Sequence, residues 1–328
     1  MKHPLLPSQQ SCDRTTIVHR TRTTLAWLTA SVLVLTLILM PQPGSAQDKV
    51  TPKFVTGLLD LNISNYYLTP RGVIVENSGV IAQPVLNLFF NLYEGDGPVN
   101  NVTGMVGIWN SIHSKQRGPD SSTVENWNEM DLLSSLSVTF LNDFTFTFAY
   151  EYWVSPINAF PSASHIELKF GYSDSFLKNL LPAGELSINP YFNIFVELTN
   201  KTANANLNDG ESHYFELGMV PKYVFAGYPL TIELPTYITF PGSHYYDTTR
   251  LDGTSISNDT VGVLGTGVRV TAPLTFINWR YGRWSVHADF IYKHLFNDGV
   301  VYDNITFLPP HAGTRNPTQV VGGVTLYF

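Results

Sequence analysis

The residues able to do chemistry here are ionisable side chains set on one parity of an alternating chain. Glu129 and Asp131 share parity with Ser135, Ser137 and Thr139, opposite Met130, Leu132, Leu136, Val138 and Phe140. Glu167 and Lys169 oppose Ile166, Leu168 and Phe170; Glu216 and Lys222 oppose Phe215, Leu217 and Met219. His287, Asp289 and Lys293 oppose Trp284, Val286, Ala288, Phe290 and Tyr292, and Asp60, Glu151, Glu197, Glu233 and Arg269 obey the same rule. Nine of these are acids against four bases, Lys169, Lys222, Arg269 and Lys293, a net charge of −5. Their joint chemistry is electrostatic: charge fixed on a wall around water concentrates cations and repels anions. The alternative is that they pair with one another and fill the interior. Asn62, Gln83, Asn87, Asn91, Asn189 and Asn193 add neutral hydrogen-bonding groups.

Catalytic arrangements are sparse. Ser164 with His165, and Ser285 with His287 and Asp289, are the two sets with suggestive spacing. A nucleophile needs its base within hydrogen-bond reach, whereas alternate residues on one strand face stand about 7 Å apart. His113, His165, His213, His244, His294 and His311 fall near strand ends without a tight ligand spacing. No catalytic residue, metal or cofactor is therefore expected. The one cysteine, Cys12, precedes an apolar run in a segment expected to be removed, which leaves no thiol for a disulfide or a metal.

The elements that must position these charges are strands. Phe144 to Tyr152 alternates aromatics with small or polar residues, and Leu186 to Leu198 alternates over its whole length. Twelve such segments are predicted: 54–67, 80–94, 102–113, 125–141, 144–155, 163–173, 184–199, 213–225, 229–243, 260–274, 281–295 and 317–328. Most exceed the roughly 9–11 residues that a tilted strand needs to cross a bilayer. A charge facing lipid near the midplane costs about 2–4 kcal/mol for Arg or Lys, so strand charges confined to one parity suit a closed barrel with a polar interior. A two-sheet sandwich also alternates, but it would not alternate long and short connections. Here 68–79, 114–124, 156–162, 200–212, 244–259 and 296–316 are mostly long and polar, while Asn142-Asp143 and Ala226-Gly227-Tyr228 are tight. Segment 174–183 breaks this pattern and reads as one or two helical turns. The expected fold is an all-β, single antiparallel up-and-down transmembrane barrel of about twelve strands with both termini periplasmic.

Aromatics at the segment ends are expected to form two girdles. Tyr66, Tyr67, Trp109, Trp127, Tyr152, Trp153, Tyr245 and Tyr246 mark the external rim, and Phe54, Phe144, Tyr172, Tyr228, Trp279, Tyr281 and Phe328 the other. The ending places Val320, Val324, Leu326 and Phe328 on the lipid face, with Thr325 and Tyr327 inward, as an assembly signal does. At the other end, Arg14, Arg20 and Arg22, the apolar run Leu25 to Met40, and small residues up to Ala46 read as a cleaved secretory signal over 1–46, ahead of a barrel over 47–328. The whole chain has 19 basic and 26 acidic residues; without that leader the balance is 15 to 25, or −10. Such a balance argues against a nucleic-acid partner.

The mature chain resembles a family of uncharacterised, porin-like outer-membrane proteins. The residues that carry the resemblance are Gly79-Val-Ile-Ala-Gln-Pro84, Leu92-Tyr-Glu-Gly-Asp-Gly97, Gly107-Ile-Trp-Asn-Ser111 and Leu326-Tyr-Phe328. The family often carries Tyr-x-x-Arg-Gly on its first hairpin; this chain has Tyr67-Leu-Thr-Pro-Arg71-Gly72, one residue longer. The resemblance implies a bacterial outer-membrane barrel and suggests transport; the inward charges and amides make small polar or cationic solutes the expected cargo. Its expected partners are membrane lipid and lipopolysaccharide, the barrel-assembly machinery, and the solutes. Two alternatives stay open: a sealed or loop-plugged structural barrel, with loops 244–259 and 296–316 as candidates to fold inward, and an outer-membrane hydrolase.

Overall fold

The computed structural model describes residues 54–115, 126–178, 180–181, 183–200, 212–242, 244–256, 261–306 and 314–328. The expected leader, Cys12 and His311 lie outside the described residues. Twelve antiparallel strands follow the twelve predicted segments. They are β1 (Val55–Ser64), β2 (Ile81–Glu94), β3 (Val99–His113), β4 (Trp127–Phe140), β5 (Phe144–Val154) and β6 (Ala163–Tyr172). There follow β7 (Gly184–Ser187 and Pro190–Thr199), β8 (His213–Met219 and Lys222–Phe225), β9 (Thr231–Glu233 and Thr236–Pro241), β10 (Val263–Pro273), β11 (Arg283–Leu295) and β12 (Thr318–Tyr327). Each pairs with its sequence neighbours, and β1 pairs with β12 from Leu58↔Tyr327 to Ser64↔Val321, so the sheet closes on itself. Closure leaves no edge of unpaired N–H and C=O groups, the one condition under which a sheet can sit in hydrocarbon.

The wall is apolar outside and polar inside. Leu61, Leu86, Val106, Leu132, Phe148, Phe170, Leu217, Val268, Phe290 and Val320 are exposed, while Glu129, Asp131, Asn193, Glu197, Glu216, His287, Asp289 and Lys293 are buried. This inversion follows from strict period two: one face must match lipid, so every strand charge takes the other. At β12, Val320 and Phe328 are exposed while Thr325 is buried against Asp60, as the ending reads, whereas Tyr327, expected inward, is exposed at the strand end.

Strands β7, β8 and β9 were expected to be continuous, yet each breaks once. Pro190, Pro221 and Pro235 cannot donate to the ladder, and Asn189 takes φ 50°. The breaks line up across the wall: the Val220 N–H donates to Ile188 O at 2.9 Å, Leu234 N–H to Pro221 O at 2.8 Å and Gly267 N–H to Pro235 O at 3.0 Å. Buried Asp174 pins this crease, its carboxylate accepting from the Ile188 and Asn189 N–H groups at 2.6 and 2.9 Å. Just beyond Asp174, the predicted helical turn is a single 3-10 turn, Ser175–Leu177.

The largest departure is at the end opposite the termini, where a polar external loop was expected between β1 and β2. Instead Tyr67–Leu68 pairs with Ile74–Glu76 as a short hairpin with most of its residues buried. A helix α1 (Asp298–Thr306) between β11 and β12, capped by Asn297 accepting from the Gly299 N–H at 2.8 Å, packs beside it. Val73, Tyr245, Tyr246, Val263, Leu295, Val300 and Val301 form one buried apolar cluster there. Tyr67, Trp153, Tyr245 and Tyr246 are accordingly buried rather than at a lipid girdle. Tyr245 and Tyr246 pack in the cluster with Val73 of the hairpin, Trp153 packs on Arg71 and His165, and Tyr67 packs on Trp109 and His113, none of which the period of the strands reveals.

Candidate functional site

The hairpin is held by side chains from the barrel wall and from the loop-end elements. Tyr237 and Tyr246 hydroxyls donate to Pro70 O and Arg71 O, each at 3.0 Å, and Lys293 Nζ reaches Thr69 O at 2.5 Å. Asn304 of α1 donates to Gly72 O at 2.9 Å and accepts from the Ile74 N–H at 3.0 Å. Gln319 of β12 donates to Tyr66 O at 2.7 Å. Tyr67, whose hydroxyl burial pushes well above its usual range with Glu129 and Asp131 reinforcing the shift, donates to Glu129 at 2.7 Å. Each such bond nets about 0.5–1.5 kcal/mol, so together they fix the hairpin in one place. Position 72 must be glycine: its φ is 91°, and a Cβ would meet Leu295 at 2.7 Å.

At the hairpin tip Arg71 enters an acidic cage. Its guanidinium lies 4.2 Å from the Trp153 ring centroid, and Glu129, Asp131, Glu151 and Glu197 lie within its electrostatic reach. Burial opposes a charge there, Glu197 favours it, and Arg71 is held above the usual arginine range. Glu151 accepts from the Trp153 indole at 3.0 Å and pairs with His165 at 3.3 Å. Arg71 thus joins the four expected lumen bases; the reading of residues on strands left it out because it lies on a loop.

The other predicted charges form separate groups. Glu167 accepts from Asn193, Lys169 lies 4.3 Å over the Tyr191 ring, and Tyr191 donates to Glu216 at 2.8 Å. Across β1, β12, β11 and β10, Thr325 donates to Asp60 at 2.7 Å, and His287 faces Asp60 and Asp289 at 3.4 Å on its two ring nitrogens. These histidine contacts lack hydrogen-bond alignment. Arg269 grips Asp289 through two bonds of 2.7 Å, and Lys222 meets Glu233 at 3.8 Å one strand further on. Glycine makes room for the flat rings: a Cβ on Gly323 would lie 2.2 Å from His287 Nε2, and one on Gly218 2.3 Å from the Tyr191 ring. The predicted lumen charges are thus brought together by neighbourhood, not as one ring.

The two suggestive catalytic sets serve other ends. Both nitrogens of His287 face carboxylates, which leaves neither to take a proton from Ser285. Ser164 bonds the Thr199 hydroxyl at 2.9 Å while His165 turns to Glu151. His113 and His165 are buried inside rather than at the external surface. His113 accepts or shares a proton with Ser111 at 2.8 Å, and His213 and His294 stand against Phe215 and Phe296.

No family model and no curated protein matches the chain. Among solved structures, an outer membrane channel from Pseudomonas putida F1 is 11% identical, covers 88% of this chain and 100% of that one, with a TM-score of 0.45. The NanC porin is 8% identical over 82% of this chain and 98% of its own, with a TM-score of 0.42. The transport unit of the autotransporter AIDA-I from Escherichia coli is 11% identical over 92% and 97%, with a TM-score of 0.37.

Proposed function

We propose that the protein is a porin-like channel of the bacterial outer membrane for passive diffusion of small polar or cationic solutes, with the hairpin 67–76 as its constriction. The observation that carries this reading is the closed wall with its apolar exterior; the nine predicted acids against the four predicted bases and Arg71 support its cation preference. A lining of that sign favours cations over anions at low salt and weakens as salt screens it. The long loops then face the cell exterior and its lipopolysaccharide, and the strand ending at Phe328 engages the assembly machinery. In a planar bilayer, purified protein should give conductance steps whose reversal potential in a KCl gradient reports cation preference. Combined E129Q, D131N and E151Q substitutions should move that potential toward zero. A silent bilayer, or an unchanged potential, refutes the channel reading.

The hydrogen-bonded latch on the hairpin favours one second reading, a loop-plugged structural barrel. It expects no current from the intact protein and steady current once residues 67–76 are deleted.

A further inference from the structure

The cage at the hairpin tip has the form of a cation site occupied by the protein's own chain. Arg71 is 8% exposed, and its Nε is buried with no hydrogen-bond partner. Asp131 is equally buried, and its Oδ1 likewise meets no donor. Glu129 is engaged by Tyr67, and Glu151 by Trp153 and His165. The guanidinium is therefore held by the Trp153 face and the field of the surrounding carboxylates. Arg269 in the same barrel shows the contrast, gripping one carboxylate through two aligned bonds of 2.7 Å. A fork bonded in that way is a structural tie; Arg71 lacks it, and its loss would leave an anionic pocket with an aromatic wall. Among the described residues no three carboxylates and imidazoles converge as metal ligands do. A flat aromatic face beside spread negative charge instead recognises a planar, weakly hydrated cation.

We infer that Trp153, Glu129, Asp131, Glu151 and Glu197 form a binding site for small solutes with a guanidinium head group, and that Arg71 is its displaceable resident. The inference rests on the channel reading for how a solute arrives, but binding itself can be measured without any current. The Pro70-Arg71-Gly72 turn carries the resident on a segment whose backbone is hydrogen-bonded mainly by side chains. Displacement therefore needs no strand of the barrel wall to part.

The test is isothermal titration of the full-length folded barrel in detergent with ethylguanidinium chloride, against sodium chloride at equal ionic strength. R71A should bind ethylguanidinium at least tenfold more tightly than the unmodified protein, and adding E129Q and D131N to R71A should remove at least tenfold of that gain. Ethylammonium should bind R71A more weakly than ethylguanidinium. Should R71A lose the heat-modifiable migration of a folded barrel, R71K replaces it with the same direction expected. In the unmodified protein, saturating ethylguanidinium should raise hydrogen exchange of residues 67–76 at least threefold. Equal affinities with and without Arg71, indifference to the carboxamide substitutions, or unchanged exchange would each overturn the inference. Binding without bilayer current would remove the channel reading alone; current without binding would remove this site alone.

Discussion

Asn304 ties helix α1 to the hairpin through two bonds. It is 1% exposed, and its amide both donates to Gly72 O and accepts from the Ile74 N–H. In N304A the Ile74 N–H, itself fully buried, loses its acceptor, which costs about 1–3 kcal/mol; the Gly72 carbonyl loses a donor worth about 0.5–1.5 kcal/mol. Together these give roughly 2–4 kcal/mol in favour of withdrawal. At a factor of ten per 1.4 kcal/mol, the withdrawn population should rise about 30- to 700-fold. The assay is maleimide labelling of V73C in a C12S background, since Val73 sits in the buried cluster behind the hairpin. When the hairpin recloses faster than the reagent reacts, the labelling rate tracks the withdrawn fraction. A change under threefold, in a barrel that still migrates as folded, would refute the idea that Asn304 latches the hairpin.

Three further outcomes are expected. D289N breaks the paired bonds from Arg269 and the contact with His287. It should cost about 2 kcal/mol, less than a fully buried pair would because the Arg269 side chain is 41% exposed; a lower urea midpoint of tryptophan fluorescence reports it, and an unchanged midpoint refutes it. G323V should cost about 1–3 kcal/mol by driving its side chain into the His287 ring, whereas G322V, with open space around it, should change the midpoint little. Equal effects of the two valines would contradict the assigned parity of β12. Deleting Phe328 should reduce the amount of inserted, folded protein without altering the conductance of what remains; normal surface levels would count against an assembly role for the ending.

The strands were legible because the bilayer imposes a rule on every residue. Charges such as Asp289 and Glu216 must sit on the parity opposite Phe290 and Leu217, and that constraint holds strand by strand without knowledge of the neighbours. The crease was legible in part: Pro190, Pro221 and Pro235 each forbid an unbroken ladder at their position, but only pairing shows that the breaks align and that Asp174 pins them. The hairpin and α1 were not legible from period, since what they bury is supplied by distant loops. A trace of them is nevertheless present. Val73 and Ile74, Tyr245 and Tyr246, and Val300 and Val301 are apolar pairs in connections read as solvent-facing, and apolar pairs in three such loops need one another. Loops 244–259 and 296–316 were expected as candidates to turn inward. Tyr245 and Tyr246 of the former and one face of α1 in the latter are buried, yet the segment that reaches into the acids comes from the first connection. Arg71 is the corresponding charge signal, a lone cation beside Gly72 in a chain whose strand interior is short of positive charge.

The latch also sets an order of events. Asn304 lies 230 residues along the chain from Ile74, and Gln319, on the strand that closes the ring, lies 253 from Tyr66. The first loop to be made is thus secured in part by the last pieces to be made, so its full set of bonds is complete only when the carboxy-terminal strand has paired with β1. Until that seam forms, the hairpin that carries Arg71 lacks the bond from Gln319 to Tyr66 O. The finished latch is therefore a sign of completion, the molecule's internal record that the circle has been joined.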